Sequence, residues 1–316
     1  MTGFARRAGH GASLTLLALL TATDVALAQN APQPAPKPEP APVVHRLNWT
    51  YPRFRLWEYI AAATVTTTGY FLQYGIEGDF RDSSWDNGIL WDDAVRSALV
   101  SKSREGRERA HALGDYFWYI PQYFPVVDSI VTPLATDKLN FDVAFQLTLL
   151  NWQAQGMSFL LTRIAHRTVG RARPSLQECD TNPNYDGACD PTAVGRTASF
   201  ISGHTSMSMS GATLTCAHHQ ALPLYGGNAA DVAICVVSLA AATTNGVLRI
   251  IADKHWSTDV LAGMAVGAAT GYGMPWLLHY RYGRLEPVGA AFLPKNTAII
   301  PLVSDETFGL GLAGLF

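Results

Sequence analysis

The sequence Ser199-Phe200-Ile201-Ser202-Gly203-His204 opens a long, mostly apolar stretch that ends at Arg249, with His255 and Asp259 a few residues later. A turn containing proline and glycine divides this stretch, which predicts two antiparallel helices whose outer ends lie at the same end of a bundle. Upstream, Arg173-Pro174 follows another apolar run. The pattern therefore predicts an all-α fold in which three polar clusters meet at one end.

These clusters contain the residue types of a phosphate-binding pocket. Arg173 and Arg249 carry planar guanidinium groups that stay charged at any working pH and match phosphate oxygens. Ser202 adds a hydroxyl, and Gly203 lets the backbone approach closely at a predicted helix N-terminus, where free N–H groups bind anions. We predict that these four residues bind phosphate.

Two histidines and an aspartate supply the predicted chemistry. His255, when neutral, can attack phosphorus and form a covalent intermediate. Asp259 lies four residues later on the same helical face, so its carboxylate can accept the ring N–H of His255. His204 can protonate the leaving oxygen. We predict catalytic roles for all three residues, without a metal ion or other cofactor.

Together the motifs resemble the type 2 phosphatidic acid phosphatase superfamily, which includes lipid phosphatases, nonspecific acid phosphatases and vanadium haloperoxidases. The three family motifs are matched by Arg173-Pro174, by Ser202-Gly203-His204, and by Arg249 with His255 and Asp259. The resemblance implies a helical phosphatase that hydrolyses phosphomonoesters or lipid (pyro)phosphates through a phosphohistidine intermediate.

The sequence departs from the family pattern at three positions. Ile201 and Leu248 replace a proline and a serine, and we expect them to affect only turn geometry. His166 occupies the position of the family lysine, with Arg167 beside it. A histidine is a cation only when protonated, so we expect either His166 or Arg167 to complete the phosphate site. The resemblance covers roughly residues 141–280.

Two other functions are compatible with the same residues. A vanadium-dependent haloperoxidase would hold vanadate in the phosphate cage, with His255 as its ligand. A non-catalytic envelope protein could keep the fold without the activity, an alternative raised by His166. The net charge of −2 and the 15% of charged residues give no support to nucleic-acid binding. We expect a phosphorylated lipid or a small phosphomonoester as the partner, and no nucleic acid.

The chain divides into four predicted segments. Residues 1–28 have the charged, apolar and small-residue pattern of a signal peptide. Residues 29–50 read as a Pro-rich linker. Residues 51–284 are predicted to form a phosphatase bundle of about six core helices. Residues 285–316 form a tail with a possible β-hairpin.

Cysteines and apolar runs bear on localisation. Cys179 and Cys189 flank a polar loop and predict a disulfide in an oxidising compartment. Cys216 and Cys235 lie about equally far from the turn between two predicted helices and could pair, but we favour buried free thiols there. Four apolar runs without formal charge are marginally long enough to span a bilayer. We expect a cell-envelope protein with its site facing the periplasm, either associated with the inner membrane or soluble in the periplasm.

Three residues near the motifs are assigned no catalytic role. Arg171 is either a cation at the rim of the pocket or a solvated charge. His218 and His219 fall near the far end of their predicted helix, too distant from the pocket to act in it, and are predicted to be structural or exposed.

Overall fold

The computed structural model describes residues 47–76, 83–283, 297–303 and 308–314. The predicted signal peptide and most of the predicted linker lie outside these residues. The described part of the chain is predominantly helical, as predicted. Its helices are α1 Leu56–Tyr70, α2 Asp92–Leu99, α3 Arg104–Thr136, α4 Phe141–Thr168, α5 Gly203–Ala221, α6 Ala229–Ile251, α7 Ser257–Ala268 and α8 Met274–Leu278. The predicted C-terminal hairpin is present as β1 Thr297–Val303 paired antiparallel with β2 Phe308–Gly314.

Helix α5 is the central helix, with α3, α4, α6 and α7 packed around it. It is rich in Ser, Thr, Ala and Gly, and small side chains allow neighbouring backbones to approach closely. A Cβ atom at Gly263 would lie 2.8 Å from the carbonyl oxygen of Ser202, and one at Gly267 would lie 2.5 Å from that of Ser206. Glycine is therefore required at both positions for α7 to pack on α5.

Helix α3 differs from its prediction. The sequence predicts an amphipathic helix over Trp91–Ala112 and a kinked helix over residues 113–136. The chain instead breaks after α2 and continues as one long helix from Arg104 to Thr136. Ser103 caps this helix by accepting a hydrogen bond from the backbone N–H of Gly106. Pro121, Pro125 and Pro133 lie inside this helix. Side-chain amides of α4 bond to carbonyls in this region, with Asn151 donating to Pro125 and Gln155 donating to Gln122.

The bundle begins earlier than its predicted boundary at residue 51. Leu47 is buried in an apolar cluster with Val143 and Leu147. Its backbone N–H donates to Asp137 at 2.9 Å, and its carbonyl accepts from Asn140 at 2.8 Å. Residues 47–50, assigned to the linker from their sequence, are therefore part of the fold.

Two disulfides cross-link the described part of the chain. Cys179–Cys189 forms as predicted. The expectation of free thiols at Cys216 and Cys235 is wrong, because these residues form a disulfide between α5 and α6. The Cα atoms of the two cysteines lie 4.5 Å apart where α5 and α6 pack against each other.

A buried polar network occupies the far end of α5. Its two histidines, His218 and His219, are structural, one of the two alternatives that the sequence predicts for them. His218 contacts the hydroxyl of Tyr280 at 2.7 Å and the side-chain oxygen of Asn151 at 3.0 Å. His219 lies between two carboxylates, 2.6 Å from Asp231 and 3.1 Å from Asp128. These contacts fasten α5 to α3, α4 and α6.

Evidence for membrane contact is weaker in the structure than in the sequence. Among the described helices, α6 alone is long and apolar enough to cross a bilayer. Its outward face exposes Val232, Val236 and Val237. The other apolar runs of the sequence form helices with more polar content.

Candidate active site

A cavity of about 680 Å³ lies where α5 begins, and the predicted motifs converge on it. Its wall includes His204 from α5 and His255 from the loop before α7. Arg173 enters from the loop after α4, and His166 from the last turns of α4 itself. Residues distant in the sequence therefore surround one space.

His255 is held in one tautomer. Its Nδ1 lies 2.8 Å from the carbonyl oxygen of Ser199. A carbonyl can only accept, so Nδ1 carries the proton and the Nε2 lone pair is available for nucleophilic attack. Burial, together with the charges of Arg173 and Arg249, lowers the pKa of His255 well below its usual value. The ring is therefore neutral at neutral pH, as a nucleophilic histidine must be.

Asp259 does not contact this ring as the sequence predicts. Its nearest carboxylate oxygen lies 3.9 Å from Nδ1 of His255. Asp259 accepts instead from the hydroxyl of Ser199 at 2.6 Å and from the backbone N–H of Trp256 at 2.9 Å. The prediction of a direct bond is wrong because the carbonyl of Ser199 occupies the acceptor position. In this structure the hydrogen-bonded link between Asp259 and the histidine runs through Ser199.

Arg171 fits neither of its two sequence interpretations. Its side chain is fully buried and pairs with Asp259 at 2.5 Å and with Asp92 at 2.7 Å. Its guanidinium also lies 4.0 Å from the ring centre of Trp85. Burial raises the pKa of Asp259, and the charge of Arg171 opposes this shift. Arg171 is thus a structural cation that supports Asp259 from behind the cavity.

His204 contacts a carboxylate that the sequence analysis did not assign to the site. Its Nε2 lies 3.4 Å from Asp115 of α3, and its ring centre lies 4.2 Å from that of Trp118. Burial and the charge of Arg249 lower the pKa of His204 to about 3, while Asp115 opposes this shift. The ring is neutral when the cavity holds no anion. A bound phosphoryl group would favour the protonated form by the same electrostatics.

Two arginines carry the positive charge next to the histidines. Arg173 donates to the carbonyls of Gly195 at 2.9 Å and Lys254 at 3.1 Å. Arg249 is buried, contacts Nδ1 of His111 at 2.7 Å and lies 3.6 Å from Asp115. Burial and the charge of Arg173 lower the pKa of Arg249 to about 9. At this pKa Arg249 remains charged at neutral pH, and two neighbouring guanidinium groups favour binding of an anion close to them.

Ser202 and Gly203 have different positions. Gly203 begins α5 and lines the cavity, where the first N–H groups of the helix have no partners within the helix. Ser202 is fully buried, and its hydroxyl pairs with that of Thr205 at 2.9 Å. The helix terminus is therefore at the cavity, whereas the serine hydroxyl is engaged beneath it.

His166 and Arg167 do not place a positive charge at the phosphate site. Nε2 of His166 donates to the carbonyl of Ile201 at 2.8 Å. Burial and the charge of Arg163 lower the pKa of His166 to about 3, so the ring is neutral. Arg167 donates to the carbonyls of Leu72 at 2.9 Å and Ile76 at 3.3 Å. Its guanidinium thus supports the segment after α1 in this structure.

The residues missed by sequence analysis come from other helices. His111 and Asp115 lie four residues apart on α3, a spacing that places both side chains on one helical face and could have indicated a polar site. That helix carries no family motif. Arg163 precedes His166 by one helical turn and lines the cavity. Among the described residues, no group of three His, Cys, Asp or Glu side chains is placed to hold a metal ion.

Comparison with known families gives the same assignment as the geometry. Residues 153–283, from within α4 to just beyond α8, match the model of the PAP2 superfamily. This segment is a PAP2 superfamily domain. The family resemblance inferred from the three motifs is thereby confirmed for this segment, and the PAP2 superfamily in general acts on phosphorylated substrates. Neither the curated proteins nor the solved structures contain a significant match to the chain.

Proposed function

We propose that this PAP2 protein is a phosphatase that hydrolyses phosphomonoesters or lipid (pyro)phosphates through a phosphohistidine at His255. The observation that carries the proposal is the state of His255: a neutral ring, protonated on Nδ1, in a cavity wall that it shares with Arg173. Guanidinium groups and helix N–H donors stabilise the charge on equatorial oxygens during phosphoryl transfer.

The proposed reaction has two steps. Nε2 of His255 attacks phosphorus, the bond from phosphorus to the ester oxygen breaks, and His204 gives its proton to that oxygen. Water then attacks the phosphohistidine, His204 takes a proton from this water, and inorganic phosphate leaves with His255 restored. Asp115, 3.4 Å from His204, would stabilise the protonated ring in both steps.

The shape of the cavity supports a substrate with an apolar group. From His255 the cavity extends between α1, α3 and α4 along aromatic side chains that can cover the apolar part of an ester. The aromatic lining residues are Tyr70, Tyr74, Trp118, Tyr123, Trp152 and Phe159. A phosphorylated lipid or an aryl phosphate fits such a lining better than a small polar ester does.

The proposed location is the cell envelope, with the site on the periplasmic side. Two disulfides support an oxidising compartment, since disulfides are rare in the cytosol. The apolar helix α6 supports membrane association. We propose that the reaction requires no metal ion, because the proposed nucleophile and acid are both histidines.

Release of inorganic phosphate from lipid phosphates, lipid pyrophosphates and aryl phosphates tests the activity. We expect turnover by the native protein and none by His255→Ala. Rapid acid-free quenching of His204→Ala with labelled substrate should trap phosphate on His255. Absence of turnover with every ester would refute the proposal, and halide oxidation that depends on added vanadate would identify haloperoxidase activity instead.

A further inference from the structure

Besides Arg173, a second guanidinium lines the cavity: that of Arg163 on α4. Its Nη1 donates to the side-chain oxygen of Gln73. The guanidinium carbon lies 5.2 Å from the ring centre of Phe159. A neutral amide and an aromatic ring hold the group in place without neutralising its charge.

Arg163 has no acidic partner in the part of the chain that the structure describes. None of the ion pairs between described residues includes it, and its Nε is buried without a hydrogen-bond acceptor. Burial lowers its pKa to about 10; Tyr74 opposes this shift, and the charges of Arg167 and Arg173 add to it. The group therefore stays charged at neutral pH. A largely buried cation without a counter-ion strongly favours binding of an anion.

The guanidinium also stands at the N-terminus of α5. A Cβ atom at Gly203 would lie 3.0 Å from Nη2 of Arg163. An anion at this point would meet Nη2 together with the free N–H groups of the first helical turn. It would also lie in the cavity that contains His204 and His255.

We infer that Arg163 binds the phosphoryl group of the substrate, together with Arg173, Arg249 and the N-terminus of α5. Neither His166 nor Arg167 provides this charge, because His166 bonds to Ile201 and Arg167 to carbonyls outside the cavity. The inference rests on the proposed function, since it assigns a further ligand to the same anion.

Titration with inorganic phosphate by calorimetry tests the inference without requiring turnover. Arg163→Gln should weaken phosphate binding about 10- to 100-fold, the size of one charge-assisted hydrogen bond. The phosphate affinity of Arg163→Lys should lie between those of Arg163→Gln and the native protein, since lysine keeps the charge but lacks the planar guanidinium group. Arg109→Gln is the matched control, because Arg109 is exposed on α3 and pairs with Glu105.

A second measurement uses the native protein, in case Arg163→Gln does not fold. Phosphate should protect Arg163, but not Arg109, from an arginine-specific dicarbonyl reagent, as read by peptide mass spectrometry. The inference is overturned by native affinity in Arg163→Gln, by absence of protection, by a larger loss in Arg167→Gln, or by absence of phosphate binding to the native protein. Phosphate binding without hydrolysis of any ester would refute the proposed function alone.

Discussion

Nδ1 of His255 lies 2.8 Å from the carbonyl oxygen of Ser199, and the hydroxyl of the same serine donates to Asp259 at 2.6 Å. Ser199 therefore links the two residues that the family motif places four apart. The main-chain carbonyl fixes the tautomer of the histidine, and the carboxylate fixes the position of the serine. This division of roles differs from a triad in which the carboxylate itself contacts the ring.

The first prediction concerns Ser199→Ala, which removes the hydroxyl but keeps the carbonyl that fixes the tautomer. We expect kcat to fall about 10- to 100-fold, as for other residues that orient a catalytic side chain without contacting the substrate themselves. Loss of a direct carboxylate contact in a triad costs roughly 10⁴-fold. Steady-state kinetics with an aryl phosphate would measure the difference, with the exposed Ser97→Ala as control. An unchanged kcat in Ser199→Ala would contradict this role and would show that Asp259 contacts the ring without the serine hydroxyl during turnover.

The second prediction concerns the charge of His166. Burial and the charge of Arg163 lower its pKa to about 3, so it stays neutral between pH 5 and 8. In His166→Gln, the pH profile of kcat/KM should keep its shape across that range, even if its height changes. The amide can still donate to the carbonyl of Ile201. Loss of one limb of the profile in His166→Gln would mean that this histidine titrates in the working enzyme.

Much of the candidate site could be predicted because its motifs are local in sequence. The spacing of Arg249 and His255 requires only a helix end and a short loop, and both positions follow from the helical pattern. Asp115 and Arg163 could not be predicted in this way. They reach the cavity because α3 and α4 pack on α5, which is a tertiary relationship.

The same distinction explains the errors in the fold. The contact between His255 and Asp259 was inferred from helical spacing, but the helix begins only at Ser257, so His255 lies outside it. The disulfide between Cys216 and Cys235 depends on how α5 and α6 face each other. Helix boundaries and facing residues are set by packing, which a single sequence does not specify.

The third prediction concerns Arg171→Met. The substitution leaves Asp92 and Asp259 buried without their cation, and breaking a buried pair in this way costs about 3–5 kcal/mol. Denaturant unfolding of the purified protein should show this loss in the free energy of unfolding. Arg104→Met is the control, because its pair with Glu108 is exposed and contributes little. An Arg171→Met protein as stable as this control would mean that the two carboxylates are neutral in the folded state.

The last prediction uses two adjacent histidines with opposite pKa shifts. Burial lowers the pKa of His218 to about 3, so the unfolded chain binds more protons there, and stability falls as the pH falls below about 6.5. Although burial opposes it, contact with Asp128 and Asp231 raises the pKa of His219. The stabilisation that protonated His219 provides is fully present below the pKa of this histidine in the unfolded chain. It is lost as the pH rises through the higher pKa of His219 in the folded protein.

Unfolding free energies of His218→Gln and His219→Gln, measured against pH, should therefore diverge. Between pH 6.5 and 5, the free energy of unfolding of His218→Gln should fall by about 2 kcal/mol less than that of the native protein. This difference is the contribution of one buried neutral histidine. As the pH rises above 6.5, the free energy of unfolding of His219→Gln should fall less than that of the native protein, because the variant lacks the stabilising charge of His219. Parallel curves for the native protein and both variants would show that neither ring changes its protonation on unfolding, and that the network of α5 is held by neutral hydrogen bonds.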